Sequence, residues 1–167
     1  MRKCLTQKAK SLMQKAKGLT QKAKAIPLHK KLKPMTIFSK IIKGEIPSYK
    51  IAENDKFFAF LDINPLVEGH TLVIPKIEVD KFLDMPDDYL SEVLLFAKPI
   101  ATAIEKSFPC ERCGLSVVGL EVPHAHLHLI PLNNMNDINF TRKKLSPTKE
   151  ELKSAQQKIL NALTQSQ

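Results

Sequence analysis

Between Pro123 and Pro131, histidine takes every second position: His124, His126 and His128 alternate with Ala125, Leu127 and Leu129. Successive side chains of an extended strand point to opposite faces, so the three imidazoles share one face, roughly 6.6 Å apart at about 3.3 Å of rise per residue. The alanine and leucines point the other way, toward a core. The pattern demands a strand with one apolar and one functional face, and it uses three of the chain's five histidines.

Packing does not account for a row of three imidazoles. A metal site is one reading, because imidazole suits zinc, copper or nickel. A nucleophilic histidine is another, flanked by histidines that fix its tautomer and carry protons. A surface strand with incidental histidines is the third.

At 167 residues the chain is long enough for one domain with a substantial core. Its formal charge of +9 is unevenly distributed. Residues 1–34 hold eleven Lys/Arg and no acid, which leaves fifteen basic against seventeen acidic residues in 35–167. Only the tail is basic, so no nucleic-acid binding is expected of the domain. No run reaches the roughly 18 apolar residues of a membrane span. No apolar stretch follows the basic start as in a secretory signal. Three cysteines without such a signal suit a reducing, cytoplasmic compartment. The isolated Cys110-Glu-Arg-Cys113 motif is expected to hold buried, inert thiols.

The tail repeats with a period of seven, through Leu5-Thr-Gln-Lys-Ala-Lys-Ser11, Leu12-Met-Gln-Lys-Ala-Lys-Gly18 and Leu19-Thr-Gln-Lys-Ala-Lys-Ala25. Leucine and alanine would form one narrow stripe on a helix, too weak for a stable coiled coil. Such a Lys-rich helix could lie on an anionic surface or act as a targeting peptide. The abrupt change at Met35 favours another expectation: residues 1–34 form a basic extension that is disordered or not translated. The domain proper is then 35–142, followed by a C-terminal helical segment, 143–167.

Along the domain, Thr36–Gly44 reads as a short helix closing at the glycine. Strands are expected at Tyr49–Ala52, Phe57–Leu61, Thr71–Lys76, Cys113–Val118 and His124–Ile130, the last two joined by a tight connection at Gly119. Pro86–Lys106 reads as the main helix, with Asp87 and Asp88 at its positive end and a kink at Pro99. Thr148-Lys-Glu-Glu151 is a capping box opening a helix to about Leu163. Helices and hairpin-linked strands in this order imply an α+β domain on an antiparallel sheet.

Three blocks then carry a resemblance. His124-Ala-His-Leu-His-Leu-Ile130 fits the pattern His-φ-His-φ-His-φ-φ, with φ apolar. Phe57-Phe-Ala-Phe-Leu-Asp-Ile-Asn-Pro65 is followed by Gly69-His-Thr-Leu-Val-Ile-Pro-Lys76. Ile37-Phe-Ser-Lys-Ile-Ile-Lys-Gly-Glu-Ile-Pro47 precedes both. In this order and spacing the chain resembles the histidine triad (HIT) nucleotide-binding family over about residues 36–140.

The resemblance implies a five-stranded antiparallel sheet with flanking helices, paired as a homodimer, and a nucleotide hydrolase or transferase attacking an α-phosphate. His126 would be the nucleophile, forming a covalent nucleotidyl-histidine, its ring held by a hydrogen bond to a backbone carbonyl on the neighbouring strand. His124 and His128 would contact and neutralise phosphate oxygens. His70 matches a fourth histidine beside the triad; read alone, it is an ordinary structural histidine. Asp62 matches the acid that bonds ribose hydroxyls, although before Ile-Asn-Pro it also reads as a turn former. Ile37, Phe38, Ile41, Phe60 and Ile63 match positions around the base, and each could equally be core. The implied substrate is a purine nucleotide of the phosphoramidate class, handled without a metal or other cofactor. A His₃ metal hydrolase and a non-catalytic nucleotide binder are the alternatives.

Two departures qualify the match. Where some members open with a zinc-binding Cys-x-x-Cys, this chain has Thr36 and Ser39. Where many carry Gly-Gln-Ser or Gly-Gln-Thr before the triad, it has Gly119-Leu120-Glu121. Close to a phosphate, Glu121 is expected to have a raised pKa and to protonate the leaving group; the alternatives are that it marks an altered substrate class or that it points into solvent beside Pro123.

Overall fold

The computed structural model describes residues 35–165. In chain order these form α1 (Ile37–Ile42), β1 (Lys50–Glu53), β2 (Phe57–Leu61), β3 (Thr71–Pro75), α2 (Asp87–Ser107), β4 (Arg112–Ser116), β5 (Leu127–Leu132) and α3 (Lys149–Thr164). Short 3-10 turns lie at Phe82–Asp84 and Met135–Ile138. The basic heptad tail and its expected helix lie outside the described residues. No described helix is long and apolar enough to cross a membrane.

All strand pairs are antiparallel, in the order β1-β2-β3-β5-β4. β2 and β3 are inner strands, and every residue of both is buried. This is why they read as unbroken apolar runs instead of alternating. One face carries Phe57, Ala59, Leu61, Val73, Leu127 and Leu129 into the main core, beneath Val93, Ala97, Ile100 and Ile104 of α2 and Leu152 and Ile159 of α3. The other face carries Phe58, Phe60, Leu72 and Ile74, which pack with Phe38, Ile41 and Ile42 of α1. Burying one such side chain stabilises by about 1.5–3 kcal/mol, so α1 and α3 are held by their apolar sides.

Local signals set the helix ends. Thr36 caps α1 by accepting the Ser39 N–H, and Gly44 closes it at φ +75°, a conformation that glycine adopts without strain. Thr148 and Glu151 form the capping box of α3. Pro99 lies inside α2, which continues through it as one helix. Because α3 shares the main core, it is an integral layer of the domain rather than an appended segment.

Two expectations about the histidine strand require correction. β5 begins at Leu127, so His124 and His126 precede it, and β4 connects to it through ten residues, 117–126, instead of a tight turn at Gly119. The reason lies in the hydrogen bonds. Val73 pairs with Leu127, and continuing that register would pair Pro75 with Ala125. Instead the Ala125 N–H donates to the Val79 carbonyl at 2.7 Å, and the Pro75 carbonyl accepts from the His124 ring at 2.9 Å. The alternation survives without the ladder: Ala125, Leu127 and Leu129 are buried in the core, opposite the histidines.

Candidate active site

His124, His126, His128 and His70 are all buried, at 1, 5, 7 and 2% exposure. Their order comes from backbone groups whose roles are unambiguous. A carbonyl can only accept, so Nδ1–H of His126 donates to the carbonyl of His124, at 2.6 Å. The neutral ring then carries its lone pair on Nε2. The partner was expected on the neighbouring strand; it lies two residues upstream on the same segment, because β5 has not yet begun there.

A second chain of bonds fixes the other pair. The Leu66 N–H donates to Nδ1 of His70 at 3.2 Å, so the His70 proton sits on Nε2. Nε2–H donates in turn to Nδ1 of His128, at 2.9 Å. The proton of a neutral His128 is thereby left on Nε2. Burial, the largest cause, drives both rings down to about 3 from an ordinary 6.5, with neighbouring charges adding to the effect. At neutral pH they are uncharged. The 3.6 Å approach of Asp62 to His70 is therefore not an ion pair.

His124 has no nitrogen left for a ligand. Nε2–H donates to Pro75, and Nδ1 accepts from the Thr36 hydroxyl at 3.1 Å. Thr36 Oγ1 also lies 2.7 Å from Ser39 Oγ and accepts the Ser39 N–H. Burial, ahead of the other causes, lowers the His124 pKa. Direct phosphate neutralisation by His124 and His128 is thus corrected: one ring is fully committed to the protein, and the other offers a neutral N–H. The same commitments count against a His₃ metal set. Thr36 and Ser39 present hydroxyls, which are poor zinc ligands. Among the described residues no cluster of three or more His, Cys, Asp or Glu is arranged to hold a metal ion.

Phe38 and Phe60 touch at 5.6 Å, and Phe38 sets its ring edge-on to His126 at 5.4 Å and His124 at 5.8 Å. Ile41 packs on the same cluster. Ile37 and Ile63 stand outside that cluster, 50 and 57% exposed. Asp62 uses Oδ1 to accept the Asn64 N–H at 2.9 Å, forming the turn that its sequence context suggests. Burial is the main cause of its raised pKa.

Glu121 departs from the expected general acid and follows the solvent-facing alternative. Both of its oxygens lie 2.7 Å from Lys144 Nζ, its side chain is 69% exposed, and this hydrogen bond is the leading cause of a lowered pKa. A carboxylate held ionised by a lysine is a poor general acid. Sequence reasoning missed both Lys144 and Phe140, whose ring stands 4.8 Å from that of His128. A lysine and a phenylalanine in a polar connector carry no motif that could have flagged them.

Cys113 is buried with its thiol pushed up to about 12, as expected of an inert thiol, whereas Cys110 is only half-buried, its pKa raised as well; both are free, and burial leads in each case. A cavity of about 500 Å³ beside α3 is lined by Asp62 and His70 but by no triad histidine, so it is not where His126 would react. His126 instead borders a recess of about 130 Å³ with Lys81, Phe82 and Val117.

The chain is similar to known proteins over most of its described residues. The HIT domain model matches residues 43–135. An uncharacterized HIT-like protein of Borreliella burgdorferi is 40% identical over 131 residues, covering 74% of this chain and 94% of that one. An adenosine 5'-monophosphoramidase of Saccharomyces cerevisiae is 44% identical over 96 residues, covering 57% of this chain and 61% of the enzyme, less than two thirds of its length. The crystal structure of a HIT-like protein involved in cell-cycle regulation from Bartonella henselae superposes with a TM-score of 0.65 at 33% identity, covering 76% and 95% of the two chains. With the family model matching more than half of its length, the chain belongs to the HIT domain family.

Proposed function

We propose that this chain is a nucleotide hydrolase of the nucleoside phosphoramidase class, acting on a purine nucleotide through His126. The carrying observation is the 2.6 Å bond from His126 Nδ1–H to the His124 carbonyl, which places the lone pair of the neutral ring on Nε2. The phosphoramidase named among its relatives supports the substrate class.

In the first step Nε2 forms a bond to the α-phosphorus, and the bond to the leaving amine breaks. The amine takes its proton from solvent, while the neutral Nε2–H of His128, whose ring is 4.8 Å from that of His126, donates a hydrogen bond to the phosphoryl oxygens. Water then attacks phosphorus and loses a proton to solvent, and the Nε2–P bond breaks to release the nucleoside monophosphate and the neutral His126 ring. The base would rest on the Phe38–Phe60–Ile41 cluster, with Ile37 and Ile63 as exposed apolar rims and Asp62 toward the ribose. A homodimer fits the outer surface: β4 is an edge strand with Leu115 48% exposed, and Leu94 and Leu95 of α2 are 54 and 70% exposed.

Rapid mixing with an adenosine phosphoramidate, acid quenching and peptide mass spectrometry test the mechanism. An adenylyl group on His126 is expected. Turnover without any adduct, or an adduct on another residue, would refute it.

A further inference from the structure

Neutral imidazoles can donate hydrogen bonds to a phosphate, but they cannot balance its charge. His70 and His128 are held neutral, His124 is spent on Pro75 and Thr36, Asp62 and Glu121 are acids, and Lys81, which borders the His126 recess, is exposed. An anion arriving at His126 therefore needs a cation from outside the triad.

Residues 139–147 supply one. Phe140 sits against His128, and the Leu145 N–H donates to the Pro65 carbonyl at 2.8 Å, beside the Asp62 turn. The segment thus runs as a strap from the triad to the Asp62 loop, and Lys144 lies within it. Its Nζ is engaged by both Glu121 oxygens, three residues before His124, and its side chain is 29% exposed. Behind burial, its charge also contributes at Asp62, His70 and His128.

We propose that Lys144 is the phosphate-binding cation of the site, held by Glu121 until the nucleotide arrives and then exchanged from carboxylate to phosphate. The inference rests on the triad being a nucleotide site. Part-exposed ion pairs contribute little net stability, so the exchange costs little. Once Lys144 turns to the phosphate, Glu121 is left as an unpaired anion facing another anion. It therefore weakens the occupied state and favours release of the product monophosphate. The two partners of one ion pair thus have opposite effects on affinity, which a merely structural pair would not show.

Calorimetric binding of AMP and of adenosine to the full chain tests this in the wild type, K144M, K144R and E121Q. K144M is expected to bind AMP about 10-fold more weakly or worse, as for loss of a charge-assisted hydrogen bond. K144R should largely retain binding, E121Q should bind AMP more tightly than wild type, and adenosine should not distinguish the four. If K144M binds AMP like wild type, if both K144M and E121Q weaken it, or if adenosine affinity falls in parallel, the proposal is overturned while the nucleotide site stands. Failure of wild type to bind AMP at all would overturn the nucleotide reading and this inference with it.

Discussion

Nε2–H of His70 donates to Nδ1 of His128 across 2.9 Å, although the two residues are 58 positions apart. Because the Leu66 N–H occupies the far nitrogen of His70, the proton on His128 is directed to Nε2 by a backbone amide two links away. The tautomer that turns an N–H of His128 toward the site is therefore written into the loop before β3. Replacing His70 with Ala should orphan the buried Leu66 N–H, at a cost of about 1–3 kcal/mol. The rate should fall as well, because His128 can then take either tautomer. Urea denaturation and steady-state turnover measure the two effects. Wild-type turnover in a destabilised variant would mean that the His128 tautomer set by His70 does not matter to the rate.

His126→Ala should lower turnover by at least ~10³-fold, as when a catalytic unit loses its nucleophile. Affinity for a nucleoside monophosphate should be retained, since Phe38 and Phe60 are untouched. Turnover and calorimetry on the same preparation check both statements.

Stability should fall as pH is lowered from about neutral. His70 and His128 titrate near 3 when folded and near 6.5 otherwise, so between those values the unfolded chain binds protons that the native state refuses. Their contribution is fully present above 6.5 and is lost as pH falls toward 3. Each adds a slope of up to roughly 1.4 kcal/mol per pH unit. Urea midpoints from pH 7 to pH 4 should show a shallower slope in His70→Ala than in wild type. Equal slopes would mean that His70 is not held neutral.

Gly69→Ala should destabilise the fold and misplace His70. Gly69 has φ +86°, and a Cβ there would collide with the ring of Phe108. The combined strain is expected to cost about 1–3 kcal/mol. Thermal unfolding gives the cost, and a parallel drop in kcat reports the displaced histidine.

If the proposed homodimer pairs through β4, Leu115→Lys should yield a monomer where the wild type is a dimer, because a charge would enter an apolar contact. Light scattering after gel filtration reads this directly. An unchanged mass would move the interface elsewhere.

The strand-forming runs, the capping residues and the alternating histidines are local features, and they were legible because each is set by a period, a cap or a single residue type. Phe57–Leu61 and the capping box at Thr148 formed as read. The face that His126 shares with its neighbours also followed from alternation alone, even where β5 has not begun. What tertiary structure decided was where each polar atom found its partner. Pro75 gave its carbonyl to His124 instead of to a ladder, and that shortened β5. Lys144 paired with Glu121 across 23 residues and inverted the direction of its pKa. Such partners depend on which loops meet in space, and no period in the chain encodes that. The residue types of the site were therefore present in the sequence, while their protonation and charge balance arose only when burial and long-range hydrogen bonds brought them together.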